Sequence, residues 1–114
     1  MQKINKLTQF DYYHLIESMQ SNALVYYTSP ACGSCRHLRK ALEHYLQTYD
    51  DLQIFEVDAV HEVGLVQSFE VFHLPSMFLY QSGKFHCELH CEAHPVKIHK
   101  AIAAALLNAP EEEP

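Results

Sequence analysis

Cys32 and Cys35 are the residues of this chain best placed to do chemistry, two thiols separated by Gly33-Ser34 in the run Tyr27-Thr28-Ser29-Pro30-Ala31-Cys32-Gly33-Ser34-Cys35. A thiol reacts as its thiolate, and a free cysteine ionises only near pH ~8.5, so its surroundings decide whether it is a nucleophile at neutral pH. The preceding stretch, Ala23-Leu24-Val25-Tyr26-Tyr27, has the unbroken apolar character of a strand covered on both faces. After the cysteines, Leu38, Leu42, Tyr45 and Tyr49 recur at helical spacing. The pair therefore stands where a strand ends and a helix begins, with Cys32 at or near the helix N-terminus. Unpaired backbone N–H groups and the positive end of the helix dipole stabilise a thiolate there. Cys35 lies one turn further in, near enough to close a disulfide with Cys32 or to attack a mixed disulfide formed by it.

Size and composition constrain the scaffold around this pair. At 114 residues, 48% of them hydrophobic and 19% charged, the chain suits one domain with a core that needs no metal or disulfide staple. No apolar stretch approaches the ~18 residues of a membrane span, so no membrane partner is expected. The net charge of −6, with histidine neutral and no basic stripe, argues against a grip on nucleic acid phosphates. The start, Met1-Gln2-Lys3-Ile4-Asn5-Lys6-Leu7, lacks the apolar core of a secretory signal and points to the cytoplasm. In that compartment four cysteines read as reactive or metal-binding rather than as a structural framework. One domain over residues 1–109 is expected, followed by a frayed acidic tail, 110–114, that ends in Glu111-Glu112-Glu113-Pro114.

Local patterns predict the element order. A short strand around Ile4 precedes a helix capped by Thr8 or Asp11, whose apolar positions are Phe10, Tyr13, Leu15, Ile16 and Met19. A strand over 23–28, a long helix over 33–49 and a strand from Leu52 to Asp58 follow. A shorter helix over 60–69 would turn Val63, Val66 and Phe69 inward, until Leu74-Pro75 interrupts the pattern. Ser76-Met77-Phe78-Leu79-Tyr80 reads as a strand, Gln81-Ser82-Gly83-Lys84 as a hairpin turn and Phe85 to Cys91 as the antiparallel partner strand. Pro95 opens a last helix with the stripe Ile98, Ala101, Ile102, Ala105 and Leu106. The order βαβαβαββα makes an α/β fold, one mixed sheet with helices on both faces.

Three separated features give the chain a resemblance to the thioredoxin family over nearly its whole length. They are Cys32-Gly33-Ser34-Cys35 at the strand-to-helix junction, Leu74-Pro75-Ser76 just before a strand, and Ser82-Gly83-Lys84 in a hairpin followed by the terminal helix. The resemblance implies the thioredoxin fold and a thiol-disulfide oxidoreductase that cycles between dithiol and disulfide. Cys32 would attack a substrate disulfide and Cys35 would resolve the mixed disulfide. An external electron donor such as a thioredoxin reductase would then reduce the Cys32–Cys35 disulfide. Pro75 would be cis and would leave the backbone of Leu74 free to pair with an extended substrate segment. The implied substrate-binding set is Ala31, Gly33, Ser34, Leu74, Pro75 and Cys91. No cofactor is implied beyond the redox-active disulfide, and the partners implied are disulfide-containing proteins met by a monomer.

The chain also departs from the family pattern. Ala31 stands where most thioredoxins have Trp, and Gly33-Ser34 replaces Gly-Pro, so the redox potential does not transfer. Arg36 and His37 either add positive potential near the thiolate or form an outward basic pair. Tyr26 occupies the position of the buried Asp thought to accept the proton of the resolving cysteine, and a phenol is no base at pH 7. Glu56 matches the family's neighbouring Lys and becomes the candidate proton acceptor for Cys35, bonded to Tyr26; the alternative is a solvent-facing Glu56 with water as acceptor.

Cys87 and Cys91 are predicted on one face of the last strand with Leu89, too far apart to bond each other. Cys91 falls near a position where thioredoxins have a small Gly close to the substrate groove; it either meets substrate there or is a buried, inert cysteine. His86 and His90 are expected on the opposite face, which argues against a tetrahedral metal site with these thiols. The leading expectation is a cytoplasmic protein-disulfide reductase. Its rivals are a binding module or co-chaperone with incidental redox activity, favoured by the Trp, Asp and Lys departures, and a metal-binding protein.

Overall fold

The computed structural model describes residues 3–114. Among the described residues, five strands and four helices follow one another in the expected order: β1 (Asn5–Lys6), α1 (Tyr12–Glu17), β2 (Asn22–Thr28), α2 (Gly33–Thr48), β3 (Leu52–Asp58), α3 (Val63–Ser68), β4 (Ser76–Gln81), β5 (Lys84–Leu89) and α4 (Pro95–Leu106). The strands form one sheet in the order β1-β3-β2-β4-β5. β1, β3 and β2 run parallel, while β4 is antiparallel to both β2 and β5. The fold class is the α/β mixed sheet expected from the sequence.

The central strand β2 explains why the sheet needs two layers of helix. Ala23 to Tyr27 are fully buried, and strand alternation sends them to opposite sides. Leu24 and Tyr26 join Leu38, Leu42 and Tyr45 of α2 and Ile98 and Ile102 of α4 in one core. Ala23, Val25 and Tyr27 join Tyr12 and Ile16 of α1 and Leu65 of α3 in the other. α2 is thus held by its apolar stripe, which fixes the placement of its N-terminus beside the end of β2.

Several local expectations are corrected. α1 is only six residues long, and Tyr12, not Tyr13, is its buried aromatic; Phe10 precedes the helix and is exposed. Val63 opens α3 and is half exposed, and Leu65 takes the inward place assigned to it. β5 stops at Leu89, so Cys91 lies beyond the strand.

Within β5 the register slips: Cys87 pairs with Leu79 but Phe85 pairs with Tyr80, so His86 is an extra, bulged residue. Phe85 consequently packs in one core and Cys87 in the other. The bulge thus breaks the alternation that would set His86 opposite Cys87; His86 is buried, and its Nε2 lies 2.7 Å from the carbonyl oxygen of Ala105 in α4.

The turn joining β4 to β5 has Ser82 and Gly83 at positive φ, 51° and 81°. A Cβ at Gly83 would sit 2.9 Å from the carbonyl oxygen of Glu17, so glycine is required both by conformation and by the close approach of α1. Residues 110–114 are exposed, and the N–H of Glu111 donates to the carbonyl of His86 at 2.7 Å.

Candidate active site

The strand-to-helix junction places both cysteines as their spacing required. Cys32 is the N-cap of α2, with φ −96° and ψ 113°, and Cys35 completes the first turn. The two are joined in a disulfide, with 5.2 Å between their Cα atoms. Cys32 is partly exposed, whereas Cys35 is 1% exposed. One sulfur therefore meets solvent, and the other lies beneath it. The backbone N–H of Cys35 donates to Sγ of Cys32 at 3.1 Å, and the hydroxyl of Ser34 lies 3.4 Å from the same sulfur. Both are favourable neighbours for an anion formed there.

Pro75 follows a cis peptide bond from Leu74, and the Leu74 carbonyl oxygen lies 3.8 Å from Sγ of Cys32. The segment 42 residues away in sequence is thus brought onto the disulfide. Of the assigned substrate-binding residues, Ser34, Pro75 and Cys91 line a single groove of about 420 Å³ with Met77 and three exposed imidazoles, His37, His73 and His90. Ala31 and Gly33 are exposed on either side of Cys32, and Leu74 is partly buried. Arg36 is exposed and donates from Nη1 to the carbonyl of Pro30 at 3.1 Å. Its cation is thereby folded back onto the loop before the disulfide.

On the inner side, Tyr26 and Glu56 are direct neighbours across β2 and β3. The Tyr26 hydroxyl donates to Oε1 of Glu56 at 2.9 Å, so the pair bonds as expected. Burial, reinforced by that bond, holds the phenol far above its ordinary range, and Tyr26 acts as a neutral donor.

The third member is Arg39, which the sequence reading missed. Its Nη1 donates to Oε1 of Glu56 at 2.7 Å and to the Tyr26 hydroxyl at 3.2 Å. Partial burial opposes its charge, but the bonds to Glu56 and Tyr26 leave the guanidinium above its ordinary range. The available signal was its spacing: Arg39 lies four residues after Cys35, one turn along the same helix face. Glu56 is largely covered, with 14% of its side chain exposed, so it does not point freely to solvent. Cys35, Arg39 and Glu56 line a common open pocket of about 350 Å³, together with the exposed Lys6, Pro30 and Arg36.

The second cysteine pair is not bonded. Burial first, and then nearby glutamates, push both the Cys87 and Cys91 thiols above the usual range, away from reactivity. Among the described residues no group of three or more His, Cys, Asp or Glu is arranged to hold a metal ion.

A family model described as Thioredoxin matches residues 3–104. The chain is 31% identical over 75 residues to Thioredoxin-1 of Schizosaccharomyces pombe, covering 66% of this chain and 72% of that one. It is 36% identical over 56 residues to Thioredoxin domain-containing protein 2 of Rattus norvegicus; that match spans 49% of this chain but only 10% of the relative. The crystal structure of mitochondrial thioredoxin 3 from Saccharomyces cerevisiae, in its oxidised form, superposes with a TM-score of 0.76 over 89% of this chain and 94% of that one. At 22% identity, the superposition bears on the fold. A match across most of its length, with the paired sulfurs joined at the head of α2, means that this chain belongs to the thioredoxin family, whose chemistry is cofactor-free thiol-disulfide exchange.

Proposed function

We propose that the chain is a cytoplasmic protein-disulfide reductase that acts through Cys32 and Cys35. The observation that carries this reading is the asymmetry of the pair: an accessible Cys32 with an N–H and a hydroxyl beside it, and a covered Cys35 joined to it. In the dithiol form, the Cys32 thiolate attacks one sulfur of a substrate disulfide. A bond forms to that sulfur, and the other substrate sulfur leaves as a thiolate. Cys35 then gives up its proton and attacks Sγ of Cys32, expelling the second substrate thiolate. The substrate gains two electrons and the enzyme is left as the disulfide. An external dithiol donor, of the kind supplied by a thioredoxin reductase, restores it.

Glu56 is the proton acceptor for Cys35 in this scheme. It lines the same pocket as Cys35, and Tyr26 and Arg39 fix its orientation. Leu74 presents a backbone for an extended substrate segment, while Ala31, Gly33, Ser34, Pro75 and Cys91 border the path.

The test is reduction of a protein disulfide by the dithiol form, with Cys32→Ser and Cys35→Ser as paired controls. Loss of turnover in both, with covalent substrate adducts accumulating only in Cys35→Ser, supports the scheme. Undiminished turnover in Cys32→Ser would overturn it. Ala31, in place of an aromatic shield, favours a second reading, a binding module with incidental redox activity. That reading predicts noncovalent partner binding unchanged in the Cys32→Ser, Cys35→Ser double variant.

A further inference from the structure

Ser34 stands between the two cysteines on the first turn of α2, exposed, with Oγ 3.4 Å from Sγ of Cys32. In the disulfide neither sulfur carries a proton, so the hydroxyl must be the donor in that contact. The Cys35 N–H reaches the same sulfur at 3.1 Å. The Leu74 carbonyl oxygen, 3.8 Å away on the other side, is an acceptor and disfavours negative charge there. Cys32 thus has one backbone donor, one opposing carbonyl and one side-chain donor, and the side chain tips the balance. We infer that Ser34 is a catalytic residue whose hydroxyl hydrogen-bonds the Cys32 thiolate, both when that sulfur attacks and when Cys35 displaces it. The assignment rests on the exchange reading given above for Cys32.

The chemistry follows from the charge. A hydroxyl shared with a thiolate keeps its own proton, so no proton is transferred in either step. It lowers the energy of the anion before attack and again when Cys32 leaves the mixed disulfide, since a better-stabilised thiolate leaves faster. It also favours the dithiol over the disulfide and makes the couple a milder reductant than one without the donor. A residue with no side-chain donor at this position, proline included, would leave only the backbone N–H.

The experiment reads the sulfur directly and needs no disulfide substrate. The dithiol forms of the wild type, Ser34→Ala and Ser34→Thr are alkylated across a pH series, and modification of Cys32 is followed by peptide mass mapping. Ser34→Ala should raise the midpoint of Cys32 ionisation by about 0.5–1 pH unit, an approximately three- to tenfold smaller thiolate fraction below the midpoint. Ser34→Thr, which keeps the hydroxyl, should stay within about 0.2 unit of the wild type. A midpoint unchanged in Ser34→Ala, or displaced equally in Ser34→Thr, overturns the role of Ser34 alone. Wild-type Cys32 that fails to alkylate at neutral pH overturns the exchange reading beneath it.

Discussion

The chain carries two pairs of cysteines at nearly equal spacing, and the fold treats them in opposite ways. Cys32 and Cys35 occupy the cap and first turn of a helix, where the backbone N–H of Cys35 points at the Cys32 sulfur. Cys87 lies in β5 and Cys91 beyond its end, where packing covers them wholly or in part and neither caps a helix. The first pair is bonded and the second is free. Reactivity is therefore set by the element that carries a thiol, since the spacing of the two pairs differs by one residue.

If the helix-borne pair alone is reactive, Cys32→Ser should lower disulfide reduction to background, about a thousandfold or more. Steady-state reduction of a protein disulfide checks it, and retention of most of the activity would move the chemistry to another thiol. Glu56→Gln should slow release from the mixed disulfide about tenfold at neutral pH, leaving the first attack intact. Single-turnover kinetics across pH separate the two steps; an identical pH profile for variant and wild type would remove Glu56 from the mechanism. Cys87→Ala lies at the smallest end, with activity expected within about twofold of the wild type and a stability loss of about 1 kcal/mol by urea unfolding. A large loss of turnover would show that the second pair takes part after all.

The covered thiols and phenols also set an alkaline limit. Cys87, Cys91, Tyr26 and Tyr80 all have their ionisation raised by burial. The folded state holds these protons more tightly than the unfolded chain, so it gains stability below the ordinary values. That gain is lost as pH rises through the raised ones. Loss of stability should begin at about pH 8.5, the ordinary value for a thiol, and steepen above 10.0, that for the phenols. Urea midpoints measured across that range test the sign; a midpoint that climbs with pH would contradict it. Cys87→Ala should make the onset shallower.

The element order was legible because each long segment shows a single pattern: β2 is apolar from Ala23 to Tyr27 and α2 repeats its stripe over four turns. The reactive pair was legible for the same reason, since its chemistry needs only a strand end and a helix start. Short elements were not. α1 has too few residues for periodicity to separate Tyr12 from Tyr13, and Phe10 belongs to the turn before it. The bulge at His86 adds one residue that alternation cannot register. Arg39 escaped notice because a cation on a helix resembles a solvated one until β3 supplies Glu56 opposite it. The partnership depends on tertiary contact between residues 17 apart, and no local pattern encodes it.

That same bulge has a consequence for how the molecule behaves in crowded solution. β5 is an outermost strand, the kind of border on which a neighbouring chain can build a continuous ladder and seed aggregation. Here the extra residue interrupts that border and the C-terminal segment occupies the carbonyl of His86, while β1, at the opposite border, is only two residues long. Both margins are thereby blunted against strand-by-strand growth.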